Sequence, residues 1–180
     1  MGRKFALLAF VLVGIALFVY RDLVFPAKSP TSRFIGTEVI NARIQDRDGT
    51  EVKLHDLIVP SGKRSKAILA MWATWCEPCV RELPVIQEKV AELRQLGIEV
   101  YLVNYDGPVP EKSLPEVKAW LVTQKINLPV YYDFGEEVLK SMDITGLPFA
   151  VGLNEDKKIS WMEMGEIEWD KPGKIRAMFH

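Results

Sequence analysis

An unbroken apolar run, Ala67-Ile68-Leu69-Ala70-Met71-Trp72, leads through Ala73-Thr74-Trp75 into Cys76-Glu77-Pro78-Cys79. Beyond that pair the apolar residues change to helical spacing. A continuous apolar run of this length is what a central strand covered on both faces requires. Leu83, Ile86, Val90 and Leu93 then recur at three- and four-residue steps, which predicts a helix over 80–96 that Gly97 ends. Ile98 to Val103 is a second apolar strand. A strand, a helix and a strand in this order close as a right-handed parallel unit. The chain is therefore an α/β protein, with both cysteines where a buried strand passes into a helix.

The flanking segments fill in the same fold class. Val39 to Val52 reads as a hairpin, with Ile40, Ala42 and Ile44 alternating with polar residues and Asp48-Gly49 at the turn. Pro60 to Lys66 reads as a charged loop. Pro115 to Lys125 is expected to be helical, Val130-Tyr131-Tyr132 a short strand and Glu136 to Met142 a short helix. Phe149 to Leu153 and Ile159 to Met164 are strands joined by the polar turn 154–158, and 170–179 is a closing helix.

The two cysteines are the only ones in 180 residues. Two cysteines make no stapling framework. A structural zinc site needs about four Cys or His ligands, and His55 and His180 lie at no ligand spacing. The chemistry available is that of a dithiol and its disulfide, with no further cofactor and no metal. A thiol beside the first turn of a helix faces unpaired backbone N–H groups and the positive end of the helix dipole, and both favour thiolate. Cys76 is thus the expected nucleophile. Cys79, one turn further in, is expected to be more buried and to resolve the mixed disulfide that Cys76 forms. Pro78 fits a helix start, where no N–H is needed. Trp75 is expected to line the surface around the cysteines and Trp72 to pack in the core. Glu77, beside Cys76, opposes thiolate formation. His55 is expected at the surface. The net charge of −1 and the lack of a basic patch exclude a nucleic-acid partner.

The N-terminus carries a different signal. Arg3-Lys4 precede sixteen uncharged, almost wholly apolar residues from Phe5 to Tyr20. The segment has no polar face, so it is not a surface helix of the domain. No A-x-A-like cleavage site in a polar region follows it, which favours an uncleaved anchor over a cleaved signal peptide. The leading basic residues keep the N-terminus cytoplasmic and export the rest. The expected organisation is a membrane anchor over 1–25, a linker over 26–33 and one domain over 34–180.

Trp72-Ala73-Thr74-Trp75-Cys76-Glu77-Pro78-Cys79, with Val80-Arg81-Glu82-Leu83-Pro84 after it, resembles the TlpA/ResA group of thioredoxin-like thiol–disulfide oxidoreductases. The resemblance extends over roughly 34–180. It takes in the leading hairpin, an inserted helix and strand between about Pro115 and Tyr132, and Gly146-Leu147-Pro148. It implies a thioredoxin-like fold with a central mixed sheet flanked by helices. The implied activity is reduction of disulfides in exported proteins, apocytochrome c among them. The implied location is the bacterial inner membrane, single-pass, with the catalytic domain periplasmic and a membrane electron donor as partner. It also implies that Pro148 is cis and faces the cysteines. Catalytic roles then fall to Cys76, Cys79, Glu82 and Pro148, and a substrate surface to Trp75, Glu77, Pro78 and Leu147.

Glu82 lies three residues after Cys79, on the same helical face. In the ResA-like pattern a glutamate there handles the cysteine protons, and poor solvation would raise its pKa and let it accept the proton of Cys79. Thioredoxin carries a buried aspartate six residues before the first cysteine, and Ala70 stands there in this chain. Many relatives have Thr or Ser after the cis proline where this chain has Phe149, a departure expected to alter the substrate surface. An oxidase or isomerase of the same fold is the nearest alternative. A thiol peroxidase would need a cysteine on another loop, a copper carrier a Cys-x-x-x-Cys with a distal His, and a vestigial binding module would not need the intact pair.

Overall fold

The computed structural model describes residues 33–58, 65–107 and 113–179. The anchor expected at 1–25 and the linker expected at 26–33 lie outside these residues, Arg33 excepted. Among the described residues no helix is long and apolar enough to cross a membrane.

The chain runs β1 (Arg43–Gln45), β2 (Glu51–Lys53), α1 (Leu54–Ile58), β3 (Lys66–Trp72), α2 (Glu77–Gln95), β4 (Ile98–Asn104), α3 (Leu114–Thr123), β5 (Val130–Tyr132), α4 (Glu137–Ser141), β6 (Phe149–Leu153), β7 (Ile159–Met164) and α5 (Pro172–Ala177). The strands form one mixed sheet in the order β2-β1-β5-β4-β3-β6-β7. β3 is parallel to β4 and antiparallel to β6.

Because side chains alternate across a strand, β3 feeds two cores. Ile68, Ala70 and Trp72 pack with Leu83, Ile86 and Leu93 of α2. Ala67, Leu69 and Met71 pack on the other face with Leu54 and Ile58 of α1 and Val138 of α4. Both sets are almost fully buried, which is why the run contains no polar residue. Gly97, with φ +77, terminates α2, and its N–H donates to the carbonyl of Arg94 at 3.0 Å. Pro84 sits inside α2 and cannot donate to the carbonyl four residues back. The helix nonetheless continues, its buried stripe fixed against the sheet. On the same face of the sheet as α2, a Cβ on Gly152 would lie 2.0 Å from Nε1 of Trp161, so only glycine lets that indole cross β6.

The expected hairpin over 39–52 is shorter than the alternation suggests. Its strands are confined to 43–45 and 51–53. Residues 36–39 pair instead with the start of β7, at the opposite side of the sheet: Gly36 N–H donates to Ile159 C=O at 2.8 Å and Val39 N–H to Lys157 C=O at 3.0 Å. The chain changes partners between these segments, which leaves Ile40 exposed while Val39, Ala42 and Ile44 are buried. His55, expected at the surface, is half-buried, with Nε2 2.6 Å from the Val39 carbonyl oxygen. α1 carried no clear periodic signal, being only five residues long.

Candidate active site

Cys76 and Cys79 are joined in a disulfide with Cα atoms 5.3 Å apart. Cys76 is the N-cap of α2, and its Sγ accepts from the Cys79 N–H at 3.3 Å. The helix thus starts at Glu77, three residues before the spacing alone suggests, with Pro78 in its first turn where a missing N–H costs nothing. Both cysteines are buried, Cys79 to 1% exposure. Trp75 is 49% exposed beside them, whereas Trp72 is buried and stacks at a tilt on Trp120, centroids 5.5 Å apart.

The Leu147–Pro148 peptide bond is cis. Pro148 lines a cavity of about 10 Å³ together with Cys79, Glu82, Ala70 and Trp169, near the lower limit of room for one water molecule. Ala70 and Glu82 therefore border the same space: with no carboxyl on the strand, an acid reaches the cavity from the helix. Phe149 turns out to be 2% exposed and packs in the α1–α4 core. Its side chain adds nothing to the exposed surface, contrary to the sequence-based expectation, because the residue after Pro148 points to the opposite face of β6.

Glu82 is held by two donors remote in sequence. Its Oε1 accepts from the Ile167 N–H at 2.6 Å and from Nε1 of Trp169 at 3.0 Å. Burial pushes its pKa up to about 7, against the pull of these two hydrogen bonds, with Glu166 raising it further and Arg81 lowering it. Desolvation outweighs the donors because the carboxylate loses more hydration than two N–H groups return. Glu82 also borders a surface hollow of about 240 Å³ with Arg81, Val85 and Glu166. The carboxyl thus stands between the cavity behind Cys79 and solvent.

Glu77 is placed differently. Its side chain is strongly exposed and its Oε1 lies 3.2 Å from Nη1 of Arg81, whose Nη2 donates to Glu166 at 2.5 Å. Solvent and Arg81 screen its charge, whereas Glu82 borders the cavity behind Cys79. Leu147 is half-buried beside Pro148.

Three residues of this neighbourhood carry no signal in the sequence. Ile167 and Trp169 lie 85 and 87 residues from Glu82. Asp106, fully buried just beyond β4, accepts from the backbone N–H of Thr74 at 2.9 Å and from its hydroxyl at 2.6 Å. A lone aspartate after an apolar strand reads as an ordinary strand end, and only the contact itself reveals it.

The AhpC/TSA family model matches residues 35–162. The thiol-disulfide oxidoreductase ResA of Bacillus subtilis (strain 168) is 29% identical over 138 residues, spanning 77% of this chain and 70% of ResA. ResA of Bacillus thuringiensis subsp. konkukian (strain 97-27) is 28% identical over 132 residues, 73% of this chain and 70% of its own length. Among solved structures, StoA from Bacillus subtilis matches with a TM-score of 0.61 at 22% identity, covering 79% of this chain and 99% of StoA. The pneumococcal exposed lipoprotein thioredoxin Etrx1 from Streptococcus pneumoniae strain TIGR4 matches with a TM-score of 0.64 at 24% identity, covering 77% and 98%. The fold is thioredoxin-like, with a mixed sheet.

Proposed function

The chain belongs to the AhpC/TSA family and is a ResA-like thiol–disulfide oxidoreductase, and from that premise we propose that it reduces disulfides of exported proteins while tethered to a membrane by its N-terminal segment. Cys76, as thiolate, attacks one sulfur of the substrate disulfide and expels the other, which takes up a proton. Cys79 gives its proton to Glu82, attacks Sγ of Cys76 and releases the second substrate thiol. Two electrons leave the protein, and it returns to the Cys76–Cys79 disulfide. A membrane electron donor then reduces that disulfide. Pro148 and Leu147 offer backbone beside the cysteines for an extended substrate, and Trp75, Glu77 and Pro78 form the surface around it. Apocytochrome c, a substrate implied by the ResA resemblance, fits this chemistry as an exported protein in its disulfide form.

The observation that carries the reducing direction is Glu82, a carboxyl raised to about 7 that shares a cavity with Cys79. A negative charge behind the pair makes a thiolate costlier and the dithiol a better electron donor. Since ~30 mV corresponds to about 1.4 kcal/mol for this couple, the ~150 mV between a thioredoxin-like reductant and a strong oxidant amounts to about 7 kcal/mol. Equilibration of the Cys76/Cys79 pair with glutathione tests the reading. The expected potential lies nearer to about −270 mV than to about −120 mV, and a value above about −180 mV would replace the reductase with an oxidase or isomerase.

A further inference from the structure

We propose that Asp106 is a positioning residue for the nucleophile: by clamping Thr74 to the end of β4, it holds the loop that presents Cys76.

The loop from Ala73 to Cys76 joins β3 to α2 and contains no regular structure. Within it, the Cys76 N–H donates to the Ala73 carbonyl at 3.1 Å. Further restraint comes from β4. The last pair of the parallel ladder is Trp72 with Asn104, and the Tyr105 N–H donates to the Trp72 carbonyl at 2.9 Å one step beyond it. Asp106 then lies alongside the loop. Its Oδ1 accepts from the Thr74 hydroxyl at 2.6 Å, and its Oδ2 accepts from the Thr74 N–H at 2.9 Å and from Nδ2 of Asn104 at 2.6 Å. The Asp106 N–H in turn donates to Oδ1 of Asn104 at 3.2 Å. Both carboxylate oxygens are engaged, and the residue is 0% exposed.

Such an arrangement is stiff for a physical reason. A buried carboxylate that loses its donors gains no water in exchange, so each of these bonds resists being opened. Thr74 is held through both its backbone and its side chain, which fixes its orientation as well as its position. Cys76 follows two residues later and has to adopt extended backbone, φ −87 and ψ 95, to cap α2 with its sulfur. Loosening Thr74 frees that conformation. The thiol then spends less time against the N–H groups that favour its ionised, attacking form.

The turnover part of the test rests on the reductase reading and the thiol chemistry does not, so the two are measured separately. In the full-length chain carrying Cys79→Ser, Cys76 is the single thiol, and its alkylation by iodoacetamide at neutral pH reports its presentation directly. Thr74→Val removes the hydroxyl with little change of shape and is expected to slow alkylation by about tenfold, the size set by one hydrogen bond to a charged group. Thr74→Ser is expected to restore it. Asp106→Asn is expected to slow it as well. With both cysteines present, insulin reduction should fall in kcat more than it rises in KM for Thr74→Val. Unequal alkylation of the Val and Ser variants supports the clamp. Equal rates in the parent, Thr74→Val and Thr74→Ser overturn it, as does a loss that tracks melting temperature alone. If Cys76 alkylates normally in the Cys79→Ser chain but the protein with both cysteines reduces no disulfide, the functional reading fails while the alkylation series still decides the role of Asp106.

Discussion

Nε1 of Trp169 donates to Oε1 of Glu82 across 3.0 Å, although 87 residues separate the two. The bond joins the segment before α5 to the helix that carries the cysteines. It also fixes the one acidic group that, among the described residues, borders the cavity behind Cys79.

Glu82→Gln should change how stability depends on pH. A carboxyl whose folded pKa exceeds its unfolded value binds more protons in the folded state between the two. Stability therefore falls as pH rises through that window, here from 4.5 to about 7. The oxidised wild-type protein should thus be more stable at pH 4 than this group allows at pH 8. Gln keeps an oxygen for Ile167 and Trp169 and carries no charge. Oxidised Glu82→Gln should lose that pH slope and exceed wild type at pH 8 by roughly 1–2 kcal/mol, after discounting for the part of the carboxyl that faces water. Denaturant melts of both proteins at pH 4 and pH 8 check this. A parallel slope in the two would mean that Glu82 ionises normally.

Trp169→Phe removes the indole donor and keeps most of the packing. The bond to Trp169 lowers the pKa of Glu82, so its loss should raise it. The pH–rate profile of disulfide reduction should move up by about one unit. A profile unmoved by Trp169→Phe would separate Glu82 from the proton step.

The cysteine roles divide by burial and capping. Cys76→Ser should abolish insulin reduction. Cys79→Ser should accumulate mixed disulfides through Cys76, visible on non-reducing gels, because the resolving thiol is gone. Adducts that form through Cys79 in the Cys76→Ser variant at a similar rate would reverse the assignment.

The N-terminal segment carries the proposal about location. Alkaline phosphatase fused after His180 should be active in a bacterial host, and the fusion should stay with membranes through a carbonate wash. Release of a shortened, soluble chain would identify Phe5–Tyr20 as a cleaved signal.

Local pattern was enough to place every strand of the central sheet from β3 to β7, together with α2. Each of these elements has a periodicity or an unbroken apolar run that its own burial imposes. The Ala67–Trp72 run is apolar because helices cover both faces of β3, and Leu83, Ile86 and Leu93 repeat because one face of α2 meets that strand. The Cys76–Cys79 pairing was equally local, being set by one turn of helix. The rest depended on long-range contacts that leave no periodic trace. The split of the first arm between β7 and β5, the hold of Ile167 and Trp169 on Glu82, and the grip of Asp106 on Thr74 each join residues far apart in the chain. Sequence alone put a carboxyl on the same helical face as Cys79. Its ionisation was decided only when the segment before α5 folded over it, because desolvation is a property of everything that surrounds a group and not of its neighbours in the chain.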